Sequence, residues 1–200
     1  MPSFDSVKEF ETTIANYFGS KYGVATDSCT HAIEISLRYD SVKNTTCPSH
    51  TYLSVPMTLN KLGIDWSFND SKWDSYYYLE NTRIIDAAVL WKTDSYIPGT
   101  LMCLSFQFKK HLPIGRAGII LTDDYDEFRS LKAMSYDGRN NDLPWADQDI
   151  EQIGYHYYMT PESAEYGLSK FHKVKDITPK RWSYQDYPNL SNLTVFKNGS

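Results

Sequence analysis

Apolar residues recur at helical spacing through Val7, Phe10, Ile14 and Phe18, and Gly19 ends the run, which predicts a first helix over residues 7–18. Residues 22–26 (YGVAT) form a short β-rich run that closes on a polar turn, Asp27-Ser28-Cys29-Thr30. A second helix follows over 31–39, with Ala32, Ile33, Ile35 and Leu37 available for burial. The same grammar repeats as a helix over 51–62 stopped by Gly63, then a strand over 64–68. Residues 70–81 are aromatic and polar and read as a loop or irregular strand. Residues 83–88 read as a short buried strand carrying Asp86, and 101–108 and 117–122 as two more strands. Residues 123–134 form an amphipathic pattern opened by acids that suit a helix's positive end. Residues 160–174 form another helix, with Thr160 as cap and Pro161 at its first position. The stretches 138–152 and 177–200 read as irregular. Alternating strands and helices predict an α/β fold, with helices on both faces of a mainly parallel central sheet.

Length and charge narrow the picture. A chain of 200 residues suits one domain, expected here over 1–174 with an irregular C-terminal extension over 175–200. The formal charge is −5, from 20 Lys+Arg against 25 Asp+Glu, and no basic run could hold a phosphate backbone, which disfavours nucleic acid as a partner. No run approaches the roughly 18 apolar residues of a membrane helix, and the first ten residues lack the apolar stretch of a secretory leader. Three cysteines cannot all pair and no C-x-x-C occurs, so neither a disulfide frame nor a zinc ribbon is expected, and a cytoplasmic setting is. The 16 tyrosines and 5 tryptophans point first to bulky core and interface packing.

Open α/β sheets bind ligands beyond the carboxyl ends of their strands. The polar residues there are Ser28, Thr30, Asp86, Ser105 and Lys110. They suit an aldehyde cofactor with a phosphate tail and a basic ring nitrogen. An amine can bond the aldehyde, a carboxylate can hold the ring nitrogen protonated, and hydroxyls at a helix terminus can hold the phosphate. Residues of these types end strands in many α/β proteins, so their local sequence and order carry the argument.

That order resembles the DegT/DnrJ/StrS family of pyridoxal-phosphate sugar aminotransferases. The family's G-x-K/R-x-A-V-A strand followed by S-G-T-x-A-L is similar to Gly19-Ser20-Lys21-Tyr22-Gly23-Val24-Ala25 and Ser28-Cys29-Thr30-His31-Ala32-Ile33. Its P-x-x-T-[FW] resembles Pro48-Ser49-His50-Thr51-Tyr52, and its E-D-A-A resembles Ile85-Asp86-Ala87-Ala88. S-F-x-x-x-K followed by G-E-G-G is similar to Ser105-Phe106-Gln107-Phe108-Lys109-Lys110 and Gly115-Arg116-Ala117-Gly118. The late G-Y-N-Y-R-M resembles Gly154-Tyr155-His156-Tyr157-Tyr158-Met159.

The resemblance implies an aspartate-aminotransferase-like large domain, a three-layer α/β/α unit binding pyridoxal 5'-phosphate, with the smaller C-terminal domain nearly absent. Lys110 stands at the Schiff-base lysine, with Lys109 as an adjacent alternative, and Asp86 at the acid facing the pyridinium nitrogen. Ser28, Cys29, Thr30 and Ser105 stand at phosphate contacts, and Tyr52 at the ring that stacks on the cofactor. His156 stands where an asparagine reaches the phosphate from a neighbouring subunit, so a homodimer with shared active sites is implied. The implied reaction moves an amino group from glutamate or glutamine to a keto group of a nucleotide-linked sugar. The sequence departs from the family at Cys29 in place of glycine, at Val89, at Tyr158 in place of arginine, and at the Gly-Arg-Ala-Gly loop. It also falls short between Phe68 and Ile84. Two other readings therefore stand beside the first: a transaminase or racemase of small amino and keto acids, and a non-catalytic binding module.

Overall fold

The computed structural model describes residues 4–197. Along them run α1 (Asp5–Phe18), β1 (Tyr22–Thr26), α2 (Cys29–Tyr39), β2 (Asn44–Pro48), α3 (Ser54–Lys61), β3 (Asp65–Asn69), β4 (Tyr77–Tyr78), β5 (Ile84–Asp86), β6 (Leu101–Ser105), β7 (Gly118–Thr122), α4 (Tyr125–Ser135), α5 (Pro161–Val174) and α6 (Thr194–Lys197). Successive side chains of a strand point to opposite faces. Ile85, Met102, Leu104, Ile119 and Leu121 accordingly join one core, and Ile84, Leu101, Cys103 and Ile120 another. Two apolar sheet faces need two covers. Phe10, Ile14 and Phe18 of α1 and Ala164 and Phe171 of α5 cover the first. Ile33 and Ile35 of α2, Leu59 of α3 and Leu131 of α4 cover the second. The three expected layers are present, with the central strands buried on both sides.

The sheet is mixed where a mainly parallel one was expected. Its order is β1-β7-β6-β5-β4. Strands β1, β6 and β5 run the same way, but only the β5–β6 pairing is parallel. The cause is connection length. A parallel return needs a crossover, usually helical, whereas Ser105 and Gly118 are joined by a helix-free loop that brings β7 back antiparallel between β6 and β1. Strands β2 and β3 form a separate parallel pair. Around β2, Glu80 supplies the link to the β4 region, its N–H donating to the Thr46 carbonyl (3.1 Å) and its carbonyl accepting from Thr45 Oγ1 (2.7 Å).

Helix boundaries follow local chemistry. Gly19 closes α1 in the left-handed region (φ 83°), and its N–H reaches the Ala15 carbonyl at 2.9 Å. Ser28, Asp124 and Thr160 cap α2, α4 and α5 through side-chain oxygens that accept from backbone N–H groups. Only the later part of the helix expected over 51–62 forms; residues 51–53 instead turn outward and leave Tyr52 exposed.

The C-terminal stretch, expected to be irregular, carries two short 3-10 turns (Tyr184–Asp186 and Leu190–Asn192) and α6, and it is docked. Leu190 is buried and its N–H donates to the Ser49 carbonyl (2.8 Å). Tyr184 N–H donates to the Trp73 carbonyl and Ser75 N–H to the Trp182 carbonyl. Arg181 grips Asp74 at 2.6 Å. This strap lies across the carboxyl-end side of the structure, where the polar strand ends gather.

Candidate active site

Each strand that points toward that side delivers one chemical group. The turn after β1 leads into the N-terminus of α2, where Ser28 caps the helix by accepting from His31 N–H (3.3 Å). The first-turn backbone and the hydroxyls of Ser28 and Thr30 face a cavity of about 400 Å³. Thr30 Oγ1 is hydrogen-bonded to Ser54 Oγ (2.7 Å), so the N-terminus of α3 adds a third hydroxyl. A helix N-terminus rimmed by hydroxyls suits a phosphate, since free N–H groups and the helix dipole favour an anion. Arg116 Nη2 donates to Asp27 Oδ2 (2.9 Å) at the rim, and His31 Nδ1 lies 2.6 Å from Asp27 Oδ1 while its ring stacks on Tyr157.

Gly118 makes this cradle possible. A Cβ there would sit 2.4 Å from the Cys29 nitrogen and 2.5 Å from the Ser28 carbonyl carbon, both backbone atoms. Gly118→Ala is therefore expected to push the start of α2 away from β7. The expected result is a stability loss of about 1–3 kcal/mol and weakened phosphate binding, read by thermal melting and by cofactor titration.

Asp86 ends β5 and is 6% exposed. Its Oδ2 accepts from Tyr77 Oη (2.6 Å) and its Oδ1 from Ala88 N–H (3.0 Å). Thr51 Oγ1 hydrogen-bonds Tyr77 in turn, so a buried relay holds the carboxylate in place. Burial pushes the Asp86 carboxyl up, opposed by those two donors and by Lys110. Lys110 is half-buried, and burial pushes its amine down; Asp86 opposes this and Lys109 adds to it. Lys109 itself is exposed, with its ammonium over the Phe108 ring. The adjacent lysines are thus unequal, and Lys110 is the one that opens into the cavity with Asp86.

Seven of the eight residues singled out from sequence (Ser28, Cys29, Thr30, Tyr52, Asp86, Ser105 and Lys110) line this one cavity. His156 does not. It is exposed and pairs with Asp137 at 3.0 Å, outside the cavity of its own chain. Cys29 lines the cavity with a thiol that burial pushes well up, so it is not a ready nucleophile. Tyr158, at the family's arginine, packs its ring on Phe4 and Tyr136.

Sequence reasoning did not single out Ser54, Tyr77, Trp182 or Tyr187. Trp182 lies against the Lys110 ammonium, 5.5 Å from ring centroid to Nζ. Burial and the nearby Asp86 both push the Tyr187 hydroxyl up, and its ring packs on Trp73 with 5.5 Å between centroids. Neither carries a local signal, because both reach the site from the strap.

Known proteins bear on this arrangement in three ways. The model of the DegT/DnrJ/EryC1/StrS aminotransferase family matches residues 2–102 and 95–189. No curated protein matches the sequence. Among solved structures, AtS13 from Actinomadura melliaura superposes with a TM-score of 0.77 at 17% identity, covering 88% of this chain and 61% of that one. The sugar aminotransferase CalS13 from Micromonospora echinospora gives 0.72 at 13% identity, covering 86% and 61%. Spr1654 from Streptococcus pneumoniae, solved in a PLP form, gives 0.70 at 15%, covering 84% and 59%. The likeness establishes a shared fold, and this chain spans less than two thirds of the length of those chains. The family model, in contrast, runs over most of the sequence, and on that ground the chain belongs to the DegT/DnrJ/EryC1/StrS aminotransferase family.

Proposed function

We propose that this protein is a pyridoxal-phosphate-dependent sugar aminotransferase, taking an amino group from glutamate or glutamine and passing it to a keto group of a nucleotide-linked sugar. The observation that carries this reading is the opening of Lys110, Asp86 and the hydroxyl-rimmed start of α2 into one cavity. When bound, the cofactor supplies an aldehyde for the lysine amine and a ring that draws electrons from the substrate carbon. The residues fit it. Ser28, Thr30, Ser54 and Ser105, with the first N–H groups of α2, would hold the phosphate, and the exposed Tyr52 ring would cover one face. Asp86, fixed by Tyr77 and Ala88, would face the protonated ring nitrogen. A cation there offsets the burial that otherwise favours the neutral carboxyl.

Lys110 Nζ is the proton carrier. It would take the proton from the amino-bearing carbon of the donor and return one to the carbon of the keto acceptor, a role that needs an amine partly neutral near pH 7. Burial moves it in that direction. A homodimer belongs to this reading, because His156 is exposed outside its own cavity and would serve the site of a second copy.

The test is an absorption scan followed by borohydride. On addition of pyridoxal phosphate the protein should turn yellow, and reduction should fix the cofactor's mass on the peptide carrying Lys110, with little on Lys109. Burial lowers the Lys110 amine, which should favour this labelling at pH 7. A protein that stays colourless, or that is labelled evenly, overturns the assignment.

A further inference from the structure

Strand β4 is two residues long, yet its Tyr77 carries the hydroxyl that donates to Asp86 Oδ2 at 2.6 Å. Only two register pairs hold it to β5, Tyr77 with Asp86 and Tyr78 with Ile85. A pairing so short adds little stability on its own, and a buried phenol on it needs a second wall. The strap supplies that wall. Ser75 N–H donates to the Trp182 carbonyl (3.0 Å) and Tyr184 N–H to the Trp73 carbonyl (3.1 Å), so the residues leading into β4 and the strap bond each other in both directions. Trp73 is the joint. It is buried, its indole N–H donates to the His50 carbonyl (2.7 Å), and its ring centroid lies 5.4 Å from that of Tyr77 and 5.5 Å from that of Tyr187.

The strap's anchors lie along the same line. Leu190 is buried with its N–H on the Ser49 carbonyl, and His50 Nδ1 lies 2.7 Å from the Tyr187 carbonyl. Contacts therefore run without a gap from the strap to the acid: Tyr187 on Trp73, Trp73 on Tyr77, and Tyr77 on the carboxylate. The titratable groups that feel the Asp86 charge are Tyr77, Tyr187, Cys29, Cys47, Cys103 and Lys110. Burial and Asp86 push the thiols and phenols up, so they stay neutral and Lys110 is the cation among them. Of the two donors to Asp86, Ala88 N–H belongs to its own turn, whereas Tyr77 reaches it across the sheet edge. Tyr77 is the donor that a change at the strap can withdraw.

We propose that Tyr77 is a positioning residue for Asp86 and that the strap, through Trp73, holds Tyr77 there, so that docking of the strap and the grip on the carboxylate form one coupled unit. The inference rests on the reading of Asp86 given above and adds to it a dependence on the far end of the chain. A hydrogen bond to a charged acceptor is stronger than one to a neutral acceptor, so Tyr77 favours the ionised carboxylate. Undocking the strap removes the wall behind Trp73 and frees Tyr77 from Asp86, and burial then drives the carboxyl toward its neutral form. Linkage makes the effect reciprocal, so a cation held at Asp86 tightens the strap.

The ¹³C carboxyl resonance of Asp86, identified by its absence in Asp86→Asn, reads the acid directly in the cofactor-free full chain. Tyr77→Phe keeps a ring against Trp73 and deletes the donor. Its titration midpoint should move upward, a proton affinity raised about tenfold, which is the loss of one hydrogen bond to a charged group. Leu190→Ala loosens the strap's buried anchor. It should raise the midpoint while Tyr77 is present and leave it unchanged in a Tyr77→Phe background, because groups in one network are not additive. Arg181→Ala removes the exposed clamp on Asp74 and no buried side chain, and should raise the midpoint together with the hydrogen-exchange rate of the Tyr184 amide. A midpoint that stays in place in Tyr77→Phe, that ignores both strap variants, or that shifts additively in the double variant overturns the proposal. Failure of the two readings is separable. Coupled midpoints in a protein that never turns yellow refute the cofactor reading alone, whereas a yellow protein fixed at Lys110 whose Asp86 titrates independently of the strap refutes the coupling alone.

Discussion

Lys110→Ala is expected to abolish amino transfer while leaving the fold intact. Removing a positioned proton carrier alone lowers a rate by about 10²–10⁴-fold, and here the same side chain is also the proposed covalent anchor, so the combined loss should exceed 10⁴. Lys110 is half-buried at the edge of the cavity, with its amine against Trp182, so the substitution removes a partly exposed side chain. Melting temperature should therefore change little. Lys109→Ala, at an exposed neighbour, should retain most of the activity. Single-turnover absorbance changes with glutamate would measure both. An active Lys110→Ala protein would remove the mechanism.

Asp86→Ala should cost the protein its cofactor as well as its rate. A buried charge left without its partner is unfavourable by about 3–5 kcal/mol, equivalent to an affinity loss of two to three orders of magnitude or more. In the cofactor-free protein the sign reverses. Burial raises the folded-state pKa of Asp86 above its ordinary 3.8, so the folded form binds this proton more readily than the unfolded chain does. The penalty for burying the charge is fully present above the raised value and fades as pH falls through it, so this group makes the empty protein more stable toward acid. Asp86→Asn should abolish that component and stabilise the empty protein at neutral pH, while still failing to hold cofactor. Chemical denaturation at several pH values, with and without pyridoxal phosphate, checks both signs. An Asp86→Asn protein that is less stable than the parent at neutral pH without cofactor would contradict the account.

Local signals were legible in the sequence and long-range ones were not. The run YGVAT became β1 residue for residue, and Gly19, Thr160 and Pro161 marked helix ends where the structure has them. Ser28, Thr30, Asp86, Ser105 and Lys110 were accessible because each ends or follows a strand or opens a helix, a property of its own neighbourhood, whereas Cys29 and Tyr52 came from the family resemblance. Strand β2 was not recognised, since Asn44-Thr45-Thr46-Cys47-Pro48 offers one strongly apolar position; its β-branched threonines become a strand through pairing with β3, which lies beyond α3. The antiparallel insertion of β7 followed from a loop without a helix, a matter of connection rather than of composition. Tyr77 reaches Asp86 across an edge pairing of two residues, and Trp182 reaches Lys110 from the far end of the chain. No periodicity encodes such meetings.

The strap has a kinetic consequence. Enzymes that close by swinging one folded body against another can open without unfolding anything. Here the cover over Lys110 is a length of irregular chain, held by a few backbone bonds, the Arg181–Asp74 clamp and the burial of Leu190. Exposing the lysine through this side means peeling that chain away, a local melting event whose free energy lies well below that of global unfolding. If the proposed transfer uses this side, its exchange of substrate for product and the breathing of the strap would share one clock, and stiffening the strap would slow both.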